Sequence, residues 1–216
     1  MTIIETLIQF TFLLPAPVAQ WIERRTPDPQ VEGSNPFGRE KQVEIYEVIK
    51  QRLSVRSYRA DPISPEVLER ILEAGRLAPS AKNLQPWHFI VVQDESLRKA
   101  LVPACRNQAF VAEAPIIICG CADKNLCYAK MGGIIYSYPV DLGIAMEHII
   151  LAATAEGLGT CWIGAFDEAK VKEVLQIPDH LHVVALTPVG YPGAESKPRP
   201  RKPLKEIVSY DHYQGR

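Results

Sequence analysis

From residue 44 onward, apolar positions alternate between helical spacing and short continuous runs. Helical spacing predicts helices beginning near Glu44 and at Ser64, where a serine N-cap precedes proline at the first helical position. Short apolar runs bounded by polar residues predict strands instead. Further helices are predicted at 96–102, 107–113, 140–155 and 167–176, and strands at 87–92, 114–121, 160–164 and 182–189. Because strands alternate with helices, the chain is expected to have a mixed α and β fold.

The helix predicted at 140–155 is apolar on nearly every side, with Asp141, Glu147 and His148 as exceptions. Such a helix should be buried all round, and in a chain of this size part of that burial is expected against another subunit. His148 is open to two interpretations, a ligand or proton carrier and a hydrogen-bonded interface histidine. The second is favoured.

Residues 1–41 lack this regularity. The apolar run at 7–14 is too short to span a bilayer and has no basic segment before it. Residues 15–39 hold five prolines and no sustained period, which is typical of irregular or disordered chain. The segment VAQWIERRTPDPQVEGSNP resembles peptides that arise when a transfer-RNA gene is translated by mistake. We therefore interpret residues 1–41 as a non-native or disordered extension before a folded domain at 42–216; a genuine arm or localisation tag is the alternative.

Composition narrows the classes of function. The chain has 216 residues, 47% of them apolar, which suffices for one domain with an ordinary core. A formal net charge of −1 gives no support for nucleic-acid binding, and no membrane partner is expected either. The five cysteines do not form a convincing disulfide framework, and the spacing of Cys119, Cys121 and Cys127 lacks the usual pattern of a metal site. Free thiols favour a reducing, cytoplasmic compartment.

Candidate chemistry begins at 52–58, RLSVRSY, where two guanidinium groups lie four residues apart with a hydroxyl between them. If the chain leaves the preceding helix here, Arg52, Ser54 and Arg56 converge on one anion such as a phosphate monoester. The alternative is a solvated helix end, where arginine favours the last carbonyl groups.

Two further polar stretches stand out. Residues 78–87, APSAKNLQPW, combine two prolines with hydrogen-bonding side chains, which suits either the edge of a planar heterocycle or an ordinary helix-to-strand connection. The tail at 192–208 is rich in proline and basic residues. It is either solvated or returns to complete an anion site with Arg52 and Arg56.

The order of these stretches resembles one family. R-x-S-x-R-x-Y, then P-S-x-x-N-x-Q-P-W, then G-L-G-T-C-W-I-G after a long apolar helix, and a basic proline-rich tail are together similar to the FMN-dependent nitroreductases over residues 43–207. The resemblance implies an α+β fold with a central, mainly antiparallel sheet surrounded by helices. It also implies a domain-swapped type of homodimer with FMN bound at the interface.

The resemblance assigns cofactor contacts position by position. Phosphate and ribityl contacts fall on Arg52, Leu53 through its backbone, Ser54 and Arg56. A loop over the flavin, contributed by the partner subunit, falls on Pro79, Ser80 and Asn83, with Gln85 as a further candidate. Asn107 and Gln108 match a segment at the pyrimidine edge or ribityl chain. The turn beside flavin N5 and O4 falls on Ile163, Gly164 and Ala165. A closing phosphate contact falls on Arg201 with Arg199.

The implied reaction is ping-pong hydride transfer through flavin N5, from NAD(P)H to a nitroaromatic, quinone or similar small-molecule acceptor. No residue is assigned as catalytic, because solvent can protonate the product. Some family members have an acidic residue at the position of Gly164 and a lysine near Phe110 and Val111, so flavin potential and substrate choice stay open. The alternatives are family branches that reduce enones, dehalogenate aromatic rings or fragment flavin, and a flavin-binding or sensing protein without turnover.

Overall fold

The computed structural model describes residues 44–214, so the predictions made for residues 1–41 lie outside the described part of the chain. Its helices are α1 (Ile45–Gln51), α2 (Pro65–Arg76), α3 (Glu95–Ala104), α4 (Phe110–Glu113), α5 (Tyr138–Ala155) and α6 (Glu168–Leu175). Its strands are β1 (Trp87–Val92), β2 (Ile116–Asp123), β3 (Gly159–Thr160) and β4 (Leu181–Gly190). Short 3-10 turns lie at Ala81–Asn83, Lys124–Leu126 and Leu204–Glu206.

Capping side chains explain where several helices begin. The hydroxyl of Ser64 accepts a hydrogen bond from the backbone N–H of Val67, and Asp167 accepts one from Lys170, both at 3.3 Å. Each bond satisfies one of the N–H groups that a first helical turn leaves without an intrahelical partner. The cap predicted at Ser64 is confirmed, and Asp167 caps the helix that was predicted at 167–176.

The four strands form one antiparallel sheet in the order β1-β2-β4-β3. β2 lies inside the sheet and is buried along its length until Asp123, as its continuous apolar run predicted. Its side chains alternate between two apolar layers, with Ile118 packing towards α5 and Ile117 towards α3 and α6. The predicted α+β class with a mainly antiparallel central sheet is confirmed.

Two predicted elements are shorter than expected. The strand predicted at 160–164 pairs only at Gly159–Thr160, and after a break Ile163 alone exchanges two hydrogen bonds with Leu186, at 2.8 and 3.1 Å. The helix predicted at 107–113 begins only at Phe110, because Arg106 and Asn107 both adopt left-handed backbone conformations, each with φ of 58°. Both departures concern backbone conformation and pairing and leave the apolar positions unchanged. The apolar pattern therefore could not predict them.

α5 is apolar nearly all round but is not buried on every side within one chain, and the burial expected against another subunit stays a prediction. Val140 is 43% exposed and Ile144 is 36% exposed, while the opposite face packs on α2 and the sheet. The ring of His148 forms a 3.2 Å hydrogen bond with the carbonyl oxygen of Ala74 in α2, so its hydrogen bonding is confirmed and its place in an interface stays a prediction. No helix within residues 44–214 is long and apolar enough to cross a membrane.

The crossing of α2 and α5 depends on Gly75, and we expect Gly75→Ala to destabilise the protein. A Cβ at this position would lie 2.7 Å from both Cδ1 and Cγ1 of Ile149, which is fully buried. Overpacking of this kind costs about 1–3 kcal/mol in free energy of unfolding, measured by chemical denaturation. Adding Gly75→Ala to an Ile149→Ala chain should cost nothing further, since the obstructing atoms are gone. The same cost in both backgrounds would show that Ile149 is not the obstacle.

Candidate functional site

The stretch 52–58 leaves the helix and runs beside the sheet. α1 ends at Gln51, and Ser54 then pairs with Thr160 of β3 in a parallel bridge. The N–H of Val55 donates to the carbonyl oxygen of Thr160 at 2.8 Å, and the hydroxyl of Tyr58 donates to the carbonyl of Val55, also at 2.8 Å. Of the two interpretations of this stretch, the structure therefore supports the extended one over the solvated helix end.

The charged side chains that influence the pKa of the Cys161 thiol come from two parts of the chain. Burial raises the pKa of this thiol, and the side chains of Arg56, Ser54, Arg52 and Arg199 oppose the rise. The assembly of the 52–56 segment and the basic tail into one anion site stays a prediction. Arg201 has no direct contact of this kind with the 52–56 segment. Its guanidinium donates to the carbonyl of Arg199 at 3.0 Å and to no residue of that segment.

The charge in this arginine cluster (Arg52, Arg56 and Arg199) is only partly balanced by neighbouring carboxylates, since Arg52 opposes the rise that burial causes in the pKa of Glu147. Within residues 44–214 none of the three forms an ion pair. The guanidinium of Arg56 instead lies 6.0 Å from the ring centroid of Phe110. Adjacent guanidinium groups repel one another unless an anion lies between them, and their planar forks match phosphate oxygens. With the exposed Ser54 hydroxyl, this donor set fits a phosphate monoester.

Residues 79–85, which we call the loop, take a strained conformation. Lys82, Asn83 and Gln85 have φ values of 53°, 57° and 49°, which non-glycine residues adopt at a cost. Ser80 accepts a hydrogen bond from the N–H of Gln85 at 2.9 Å, while Pro79 and Asn83 are exposed. Within residues 44–214, no hydrogen bond or ion pair joins the loop to the arginine cluster. The contribution of the loop by a partner subunit stays a prediction.

The remaining predicted positions lie at two turns and differ in exposure. Gln108 donates from its side chain to the carbonyl of Cys105 at 2.9 Å, and with Asn107 it leads directly into Phe110, whose ring faces Arg56. Ile163 is buried and its N–H is used by Leu186, whereas Gly164 and Ala165 are exposed. Within the described residues, the N–H groups of Gly164 and Ala165 donate to no carbonyl, so both are available to a ligand.

Comparison with known proteins decides the family. The profile of the Nitroreductase family matches residues 49–132 and 106–191, which together span the arginine stretch, the loop, α5 and β4. This chain belongs to the nitroreductase family. The family predicted from the order of the motifs is therefore confirmed.

Similar nitroreductases and relatives cover most of the chain. A Thermus thermophilus protein named NADH dehydrogenase is 32% identical over 192 residues, which is 73% of this chain and 91% of that protein. The structure of a nitroreductase family protein from Clostridium novyi NT is 42% identical with a TM-score of 0.64, covering 69% of this chain and 86% of that one. The Vibrio harveyi NADPH:FMN oxidoreductase, solved in complex with NAD⁺, is 29% identical with a TM-score of 0.71, covering 79% and 78%.

Sequence reasoning did not assign two residues that organise this nitroreductase site. Thr160 holds Val55 through its backbone carbonyl, and a backbone group leaves no signal in a sequence. Asp141 of α5 accepts a hydrogen bond from the N–H of Ala81 in the loop at 2.9 Å. Asp141 did leave a signal, because it is a carboxylate in an otherwise apolar helix.

All five cysteines of this nitroreductase are buried and unpaired, which predicts a simple thiol titration. Burial raises the pKa of Cys105 to about 11, so its reactive thiolate is scarce near neutral pH. Denatured, unreduced protein should react with a thiol reagent at all five cysteines, and the native protein should react far more slowly. Fewer than five reactive thiols after denaturation would reveal a disulfide and contradict this structure.

Proposed function

We propose that this chain is an NAD(P)H-dependent FMN oxidoreductase that reduces small-molecule acceptors such as nitroaromatics and quinones. The observation that carries the proposal is the arginine cluster around Cys161, which has the charge and donors for the FMN phosphate. The oxidoreductase class and the pairing of FMN with NAD(P)H, both predicted from the sequence, are confirmed by the family match and by relatives named as flavin oxidoreductases.

The phosphate end of the cofactor is assigned to the arginine cluster. Arg52 and Arg56 bind the phosphate with the hydroxyl of Ser54, and the backbone of Leu53 adds a contact on the ribityl side. Arg199 and Arg201 close the site from the tail. The support is that Ser54 pairs with Thr160, directly before Cys161, and that Arg52, Arg56 and Arg199 all oppose the rise in the pKa of the buried Cys161 thiol.

The flavin end is assigned to exposed polar turns. Gly164 and Ala165 present N–H groups to the isoalloxazine edge, since the N–H of Ile163 is already used in pairing with Leu186. Asn107 and Gln108 contact the pyrimidine edge or ribityl chain. The loop residues Pro79, Ser80 and Asn83, with Gln85, cover the flavin from the partner subunit.

FMN, when bound, supplies the redox chemistry by taking a hydride from NAD(P)H and delivering it to the second substrate. The residues of the chain bind the cofactor, orient it and provide charge around it. Guanidinium groups neutralise the phosphate, and the N–H donors of Gly164 and Ala165 favour negative charge on whatever they contact. No side chain is assigned as a catalytic acid, because solvent can protonate the reduced product.

We also propose a homodimer, because apolar side chains remain exposed on two helices that pack together. Ile45 and Ile49 of α1 are 55% and 51% exposed, and Val140 and Ile144 of the adjoining α5 are exposed as well. Large apolar patches on a folded chain mark interaction surfaces. A second copy of the chain would cover this surface and bring its loop to the site.

A cytoplasmic location belongs to the same proposal. Its support is the set of five unpaired cysteines, which persist in a reducing compartment.

Steady-state oxidation of NADH and NADPH, with a nitroaromatic and a quinone as acceptors, tests the proposed function. The FMN-loaded protein should oxidise many equivalents of nicotinamide per chain when an acceptor is present. A flavin-binding or sensing protein would instead be reduced once and stop. A single reduction with every acceptor would overturn the enzymatic proposal while leaving FMN binding intact.

A further inference from the structure

The loop needs an external support to keep its strained shape. Three of its residues are left-handed without being glycine, and its internal bonds, Gln85 N–H to Ser80 and the Gln85 side chain to the carbonyl of Asn83, join only its own members. Strain of this kind persists where surrounding structure over-determines the conformation. The support from outside the loop comes from the first turn of α5.

Asp141 supplies that support with one carboxylate oxygen. Its side chain is buried, at 3% exposure, and Oδ1 accepts the N–H of Ala81 at 2.9 Å. A hydrogen bond to a buried charged acceptor is stronger than one between neutral groups. Ala81 opens the 3-10 turn that contains left-handed Lys82 and Asn83, so the bond is placed where the strain begins.

The other carboxylate oxygen of Asp141 holds a second segment. Oδ2 accepts the hydroxyl proton of Ser137 at 2.6 Å, and Ser137 is fully buried. The same hydroxyl oxygen accepts the N–H of Tyr128 at 3.0 Å, while the N–H of Ser137 donates to the carbonyl of Tyr128 at 2.8 Å. The two carboxylate oxygens therefore tie the loop and the segment at 128–137 to one point of α5.

A side-chain contact joins the same two segments directly. The ammonium of Lys82 lies 4.8 Å from the ring centroid of Tyr128, a cation–π arrangement. Beyond Tyr128 the segment turns back between Met131 and Ile135 and exposes apolar side chains at Ile134 and Ile135. The loop and this apolar turn are thus held as one unit.

We propose that Asp141 is a positioning residue for the flavin-covering loop. It acts through Ala81 on the loop and through Ser137 on the segment at 128–137. Both the loop and this segment are therefore already in position before FMN binds. This inference rests on the proposed function, in which the loop covers the flavin. A pre-formed loop spares the ordering cost on binding, so releasing it should weaken affinity without altering the phosphate contacts.

Three variants test the proposal with two measurements. The first is titration with FMN, in which quenching of the flavin fluorescence reports binding, and the second is amide hydrogen exchange. Asp141→Ala should weaken FMN binding about tenfold and raise exchange at residues 80–85 and at Tyr128. Asp141→Asn keeps an acceptor oxygen for Ala81 and should recover most of the affinity, to within about threefold of the parent. Ser137→Ala should raise exchange at Tyr128 while leaving the Ala81 amide protected, and it should weaken FMN binding less than Asp141→Ala does, because it releases only one of the two segments.

Asp167→Asn is the matched control, because Asp167 also accepts a backbone N–H at the start of a helix but contacts neither segment. It should leave FMN affinity and exchange in the loop unchanged. The proposal is overturned if Asp141→Ala folds and keeps the parent's affinity and loop protection. If Asp141→Ala does not fold, either of two results overturns it: parental exchange at Tyr128 in Ser137→Ala, or FMN binding in Asp141→Asn that is weakened well beyond threefold while the Ala81 amide stays protected. An unmodified protein that does not bind FMN would refute the proposed function instead, and the exchange pattern would still decide the role of Asp141.

Discussion

Replacing Arg56 by alanine is expected to weaken FMN binding about ten- to a hundredfold. The guanidinium of Arg56 acts on Cys161 together with those of Arg52 and Arg199, and within residues 44–214 it has no carboxylate partner. Removing one charge-assisted contact to a phosphate costs roughly 1.5–3 kcal/mol, which corresponds to that loss in affinity. Titration of the apoprotein with FMN, followed by quenching of flavin fluorescence, measures it.

Two comparisons make the Arg56 experiment specific. Riboflavin lacks the phosphate, so its affinity should change much less than that of FMN. Arg59→Ala is the matched control, because Arg59 lies in the same stretch but already pairs with Asp61 at 2.7 Å. Equal weakening of FMN and riboflavin would indicate general damage to the site, and unchanged FMN affinity would remove Arg56 from it.

Gly159→Ala is expected to damage stability and cofactor binding together. A Cβ at this position would lie 2.6 Å from Cγ2 and 2.8 Å from Cβ of Val55, the residue whose N–H pairs with Thr160. Overpacking at such contacts costs about 1–3 kcal/mol in free energy of unfolding. Because Val55 lies between Ser54 and Arg56, its displacement also moves the phosphate donors, and FMN affinity should fall about tenfold.

A compensating change separates this steric effect from other consequences of losing a glycine. In Val55→Ala/Gly159→Ala the two methyl groups of Val55 are absent, but the Cβ at position 55, 2.8 Å from the new Cβ, remains. The double variant should therefore recover part of the FMN affinity that Gly159→Ala loses. Chemical denaturation and FMN titration of the single and double variants give the two measurements. Additive losses in the double variant would contradict a direct clash between these residues.

The arginine stretch at 52–58 shows what the spacing of residues in a sequence can and cannot predict. The separation of Arg52, Ser54 and Arg56 suggested an anion site, but only an extended chain brings them together. The extension is fixed by the carbonyl of Thr160, a distant backbone group that no local pattern records. The order of the motifs supplied the family, and the family favoured one of the two interpretations of the tail, its return to this site.

Backbone conformations that contradict residue preference were beyond sequence reasoning. Lys82, Asn83 and Gln85 are left-handed with no glycine among them, and the support that we propose for them, the bond from Ala81 to Asp141, joins residues far apart in the sequence. The break in strand pairing after Thr160 also left no signal in the sequence. The buried Ile163 still pairs with Leu186, while the residues between Thr160 and Ile163 do not pair with β4. The apolar pattern of a sequence indicates which residues are buried, but it does not indicate which strands pair.

The sequence did not show which face of α5 is left exposed in a single chain. The apolar faces of α5 are equivalent in the sequence, and only the structure separates the face on α2 and the sheet from the exposed one at Val140 and Ile144.

Native mass spectrometry of the protein incubated with FMN tests the central claim, that the arginine cluster is half of an FMN site completed by a second copy of the chain. The account predicts a complex of two chains carrying two noncovalent FMN molecules, with the FMN lost more readily from the Arg56→Ala protein. A single chain that retains no FMN would contradict it.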